Sequence, residues 1–127
     1  MSLQDEAEQF IQRKQKESRA MDMTMYQDKA GRTAIYPPYT QITYPALGLA
    51  GEAGEVANKV KKMFRDNTEP TDEWCLMVGD EIGDVLWYCA ALAGDLGLSL
   101  GEIASRNIDK LESRQKRGVL GGSGDER

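Results

Sequence analysis

Two long stretches of helical periodicity, joined by a turn short enough to reverse the chain, restrict the possible folds more than any other feature. From Ala46 to about Arg65, the residues Leu47, Leu49, Ala50, Ala53, Val56, Val60, Met63 and Phe64 recur at the helix period. From about Asp72 to Gly94, the residues Trp74, Met77, Val78, Ile82, Val85, Leu86, Cys89 and Leu92 do the same. The intervening DNTEPTD reads as a turn, so the spacing predicts an antiparallel helical hairpin. Upstream, Ser2 and Asp5 form a capping box for a first helix ending near Arg19, and a shorter helix is expected over Thr24 to Thr33. IYPPYTQITYP then breaks regular structure, because Pro37, Pro38 and Pro45 are not expected inside a helix. Downstream, Ser99 and Glu102 cap a last helix, with Leu100, Ile103, Ala104, Ile108 and Leu111 expected inward. No stretch reads as a strand, and the expected fold class is all-α in one domain of 127 residues.

The hairpin gives its polar residues a register. Glu52 and Glu55 are three apart, as are Glu81 and Asp84, and residues so spaced share one helix face. Glu55 lies ten residues before Arg65 and Glu81 nine after Asp72, so each stands roughly 14–15 Å from the turn at the standard helical rise. Four carboxylates then converge between two helices. Uncompensated, they repel and resist desolvation; divalent cations among them make the arrangement favourable. Oxygen-only ligands point to Mg²⁺, with Mn²⁺ as a substitute, and away from zinc. Acid pairs also mark ordinary solvated faces, and that reading stays open on spacing alone. The glycines at 48, 51, 54 and 83 suggest close backbone approach, since each costs about 1 kcal/mol inside a helix.

Composition removes whole classes of chemistry. With no histidine, the chain lacks the commonest general base and zinc ligand and cannot form a Ser-His-Asp triad. A net charge of −5 argues against nucleic-acid binding by general electrostatics. No apolar run spans a membrane, and the acidic start MSLQDEAEQF lacks the positive region of a signal peptide. Cys75 and Cys89, 14 apart on one expected helix, are too distant for a disulfide. Both are expected to be buried, reduced thiols, which fits a cytoplasmic protein.

The words YPALGLAGEAGEVANKVKK, DEIGDVLWYCAALA, NIDKLESRQKRG and LGGSGDER resemble the MazG-like members of the all-α nucleoside triphosphate pyrophosphohydrolase superfamily. That group is also similar to dimeric dUTPases and dCTP pyrophosphatases. Its E-x-x-E…E-x-x-D pattern is matched by Glu52, Glu55, Glu81 and Asp84, within a resemblance covering roughly Tyr26 to Arg127. The resemblance implies a four-helix-bundle core completed by oligomerisation, as a homodimer or homotetramer. It divides the chain into an extra helix over 1–20, a catalytic helical domain over 21–116 and a Gly-rich tail over 117–127.

The implied activity is Mg²⁺-dependent cleavage of a nucleoside triphosphate to the monophosphate and pyrophosphate, serving nucleotide-pool cleansing or balance. By the same resemblance Glu55 is the base and Tyr88 stands beside the nucleotide, with Asn107, Lys110 and Arg114 as a phosphate-facing stripe on the last helix. That stripe could equally be a solvated face suited to the helix dipole. Lys62 is a further phosphate candidate at a helix carboxyl end where basic charge is expected anyway, and Trp87 could stack on a base or belong to the core. The tyrosine-rich loop could wall a base pocket or cap the bundle. The competing readings are a non-catalytic nucleotide or metal sensor and a helical oligomeric interaction module.

Overall fold

A computed structural model describes residues 1–16 and 20–127 in full and residues 17–19 in backbone only. The order is α1 (Leu3–Arg19), α2 (Met23–Gly31), a 3₁₀ turn (Pro38–Thr40), α3 (Thr43–Asp66), α4 (Asp72–Asp95) and α5 (Leu100–Lys116), with no strand among the described residues. The fold is all-α. Among the described residues, no helix is long and apolar enough to cross a membrane.

Local chemistry explains most boundaries. Asp22, Thr71 and Ser99 each accept a hydrogen bond from the backbone N–H three residues on, capping α2, α4 and α5. Ser2 and Asp5 bond reciprocally, the Asp5 N–H to Ser2 Oγ and the Ser2 N–H to Asp5 Oδ2. Asn67 ends α3 in the left-handed region at φ 51°, which Asn tolerates better than most residues, and so turns the chain toward α4.

The start of α3 departs from the sequence expectation. The helix begins at Thr43 and contains Pro45, which is fully buried. As the third residue, Pro45 sits where a backbone N–H has no intrahelical partner, so the ring removes nothing the helix needs. Just before it, Ile42 adopts φ 67° and ψ −56°, and the Thr43 N–H reaches back to the Gln41 carbonyl at 2.7 Å. This is a γ-turn of the rare, strained hand, centred on a β-branched residue. Asp95, the last residue of α4, holds it: its Oδ2 accepts from the Ile42 N–H at 2.9 Å and from the Tyr36 hydroxyl at 2.8 Å.

α4 lies at the centre, packing against α3, α2 and α5, while α2 also meets α5. The core is small: Ala30, Ala90 and Leu100, flanked by Tyr26, Trp87 and Cys89. Gln27 ties three elements together. Its Nε2 donates to the carbonyls of Ala90 and Leu98, and its Oε1 accepts the Leu100 N–H at 2.9 Å.

Much apolar surface stays uncovered. Of the α5 residues expected inward, Leu100 is buried, but Ile103, Ile108 and Leu111 are exposed, as are Leu47, Phe64, Met77, Ile82 and Leu86. Cys75, on the outward side of the first turn of α4, is exposed rather than buried, and Cys89 is half-buried; both are free thiols. The chain exposes 9960 Å², where a compact monomer of 14.1 kDa exposes roughly 6,700 Å².

Two expected outcomes test these contacts. Gln27→Ala removes one donor and one acceptor that join α2 to the α4–α5 corner, and should lower unfolding stability by about 1–3 kcal/mol in urea titration. The second concerns Tyr36, whose pKa is raised from 10.0 to about 12 by burial and by its bond to Asp95. A raised folded pKa favours the neutral phenol, so its contribution is complete below pH 10 and is lost as pH rises toward 12. Unfolding curves of the wild type and Tyr36→Phe should therefore converge over that interval; a gap that stays constant would show that the bond to Asp95 does not govern the titration.

Candidate active site

The hairpin of α3 and α4 brings acids from both helices together. Oxygen atoms of Glu52, Glu81 and Asp84 all lie within 4.8 Å of one another. Glu52 comes from α3 and the other two from one face of α4, one turn apart, so helix register alone creates the cluster. Glu55 is not one of the three. It lies one turn further along α3, exposed, and close enough for its charge to act on Glu52. The Glu52 carboxyl is pushed above its usual range, first by partial burial and then by the charges of Asp84, Glu81 and Glu55. One cation enters the group: Lys59 Nζ stands 3.7 Å from Glu81 Oε1.

Beside the acids is an open cavity of about 310 Å³ lined by Glu52, Asp84, Trp87 and Tyr88. Its aromatic side is one connected assembly. Tyr36 stacks on Tyr44 with centroids 4.8 Å apart, Trp87 meets both Tyr36 and Tyr88 edge-on, and Tyr44 lies 6.3 Å from Tyr88. Trp87 Nε1 donates to Thr33 Oγ1 at 2.8 Å, which fixes the indole. The Tyr88 hydroxyl is raised above its usual value by burial first, then by its hydrogen bond to Tyr44 and by Glu52 and Asp84. The phenol is thus held neutral next to carboxylates.

Gly48 is what lets Tyr88 lie against α3. A Cβ at position 48 would come within 2.1 Å of the Tyr88 ring. The other glycines expected to form a close seam do not: Gly51, Gly54 and Gly83 face open space, because within one chain their sides of α3 and α4 are turned away from any neighbour. Close approach in this hairpin is a ring against one glycine rather than backbone against backbone.

The remaining sequence candidates are placed apart from the acids. Lys62 lines a cavity at the turn end of the hairpin together with Lys59, Asp66, Trp74 and Met77. Asn107 and Lys110 line an open cavity on α5 with Ile103 and Arg106. Arg114 is buried beneath the chain's own tail, its Nη2 donating to the Asp125 carbonyl at 2.8 Å while Nε has no partner. Arg117 supports the same tail through the Arg127 carbonyl.

Sequence reading overlooked Lys59 as a member of the acid group and Asp95 as the anchor of the aromatic loop. Lys59 could have been found, since it lies four residues after Glu55 on the same face. Asp95 could not, because its partners Tyr36 and Ile42 are 59 and 53 residues away.

Comparison with known proteins agrees with this architecture. The model of the MazG nucleotide pyrophosphohydrolase domain matches residues 42–119, which contain α3, α4, α5 and every acid of the cluster. The chain is 46% identical over 114 residues to the Gene 37 protein of Mycobacterium phage L5, covering 84% of this chain and all of that protein. It is 34% identical over 68 residues to the uncharacterized protein YpjD of Bacillus subtilis strain 168, covering 54% of this chain and 61% of that one. No solved structure matches it. With the family's domain spanning the acid-bearing hairpin and the helix after it, the chain belongs to the MazG nucleotide pyrophosphohydrolase family.

Proposed function

We propose that this protein is a Mg²⁺-dependent nucleoside triphosphate pyrophosphohydrolase that cleaves a ribo- or deoxyribonucleoside triphosphate to the monophosphate and pyrophosphate. Its place would be nucleotide-pool cleansing or balance in the cytoplasm. The observation that carries the reading is the convergence of Glu52, Glu81 and Asp84 within 4.8 Å at the edge of an aromatic-walled cavity.

The donor set fits a hard divalent cation. It is made only of carboxylates, and partial burial first and their mutual repulsion second raise Glu52, a cost that a bound dication offsets. Glu52, Glu81 and Asp84 would hold Mg²⁺, or Mn²⁺ in its place. The bound ion supplies charge neutralisation for the triphosphate and a bound water of lowered pKa. Glu55, outside the three but adjacent in charge, is the carboxylate left to accept a proton from the attacking water. Tyr88 and Trp87 face the same cavity and offer ring surfaces to a nucleobase, with orientation fixed by Thr33 and Tyr44.

Phosphate contacts from Lys62, Asn107 and Lys110 belong to the same reading, whereas Arg114, buried under the tail and bonded to the Asp125 carbonyl, holds the tail instead. Because α5 and the acids are separate within one chain, Asn107 and Lys110 would reach the site from a second copy. The working unit is accordingly a homodimer or homotetramer. The surface in excess of a compact monomer, on the order of 3,000 Å², and the exposed apolar side chains of α3, α4 and α5 support this.

The test is pyrophosphate release from a panel of nucleoside triphosphates. EDTA should abolish release, and Mg²⁺ or Mn²⁺ should restore it. Glu81→Gln and Asp84→Asn should lower release at least about 100-fold and weaken Mn²⁺ binding measured by calorimetry. Glu55→Gln should leave metal binding within about twofold yet lower kcat by about 10²–10⁴. A folded protein with metal bound that releases no pyrophosphate from any nucleotide would overturn the catalytic reading in favour of a nucleotide sensor.

A further inference from the structure

The first helix stands outside the architecture described so far. Among the described residues α1 makes no extensive packing contact with another helix, whereas α2, α3, α4 and α5 all meet α4 or one another. Yet it carries an apolar stripe of Leu3, Ala7, Phe10 and Ile11 at positions i, i+4, i+7 and i+8, and Leu3, Phe10 and Ile11 are all more than half exposed. A solitary helix of 17 residues is marginal in water. The stripe must be covered for α1 to persist.

Its charges say by what. The first half holds the acids Asp5, Glu6 and Glu8 and no base, and the second half holds the bases Arg13, Lys14, Lys16 and Arg19 with one acid, Glu17. Two such helices side by side in parallel set like charges against like; antiparallel, they set acid against base at both ends. Glu6 and Arg13 lie seven residues apart and flank the apolar stripe on the same side. In an antiparallel pair Glu6 therefore faces Arg13 of the second copy, and twofold symmetry makes the contact twice. Ala7 then lies opposite Phe10 of the second copy, a small residue against a large one.

We propose that α1 is a self-complementary dimerisation clasp, pairing antiparallel with α1 of a second copy of this chain through Leu3, Ala7, Phe10 and Ile11 and the flanking Glu6 and Arg13. The clasp lies outside the matched catalytic region of 42–119 and does not depend on the proposed activity. The same charge order also suits the helix's own dipole, so the experiment must separate pairing from intrinsic helicity.

Hydrogen–deuterium exchange over residues 3–19 of the full-length protein does this. Two variants are prepared, Glu6→Lys/Glu8→Lys and Arg13→Glu/Lys16→Glu. Each alone sets like charges together across an antiparallel pair, and each should exchange about tenfold faster than wild type over this segment. Mixed in equal amounts, the two become complementary and should regain wild-type protection. Intrinsic helicity cannot be regained by mixing, since neither chain's own sequence changes. Protection that is absent in the wild type, unaltered in the single variants, or not restored on mixing would overturn the proposal; the second and third results would place α1 against a body face of either copy.

Discussion

Carboxylates held a few ångströms apart repel, and a fold that gathers them must supply both the force that brings them together and the charge that offsets them. Here the force is helix register. α3 and α4 pack against each other, from Gly48 on Tyr88 to the lysines and Trp74 near the turn, so the positions of Glu52, Glu81 and Asp84 are not adjustable one at a time. Separating the acids would require sliding two 24-residue helices past each other, with the loss of the contacts between them. The local charge is offset only in part, by Lys59 against Glu81, and Glu52 stays above its ordinary pKa. The hairpin thus keeps an unfavourable charge arrangement standing, which is the physical basis of the proposal that a cation binds there.

The hairpin's fixed end makes this possible. Asp95 accepts two hydrogen bonds that between them hold Tyr36 and the strained turn at Ile42, so the last residue of α4 sets where α3 begins. A non-glycine residue at positive φ costs on the order of 1–3 kcal/mol and persists only where its surroundings over-determine it. The stacked Tyr36 and Tyr44 rings, buried Pro45 and the contact of Tyr88 with Gly48 supply that determination. The strained turn and the aromatic wall are therefore parts of one arrangement along the carboxyl half of α4, adjoining the acids at its middle, and the aromatic side of the cavity cannot shift without moving the start of the helix that carries Glu52.

What was legible in the sequence is what depends on neighbours within a turn or two. Ser2 and Ser99 cap where their spacing said they would, DNTEPTD turns the chain with Asn67 in the left-handed region, and the two acid pairs land on facing helices. What was not legible has specific causes. Pro45 was read as a breaker because the rule against proline in helices does not hold in the first turn. The glycines at 51, 54 and 83 were read as a seam because composition says that a residue is small, not whether anything approaches it. Asp95 was invisible because the bonds it accepts join residues far apart in the chain.

The same reasoning bears on the apolar faces. The period that made Ile103, Ile108 and Leu111 read as inward is real, and so is the stripe on α1, but periodicity reports only that a face avoids water. It carries no information about whether the cover comes from the same chain. In a compact monomer of this mass the two questions have one answer; in a chain exposing 9960 Å² they separate. Charge then says more than hydrophobicity can, because it has sign and direction. An apolar stripe accepts any apolar partner, whereas acid at one end of α1 and base at the other favour a specific orientation of a specific partner, and the helix that best meets both requirements is a second copy of itself.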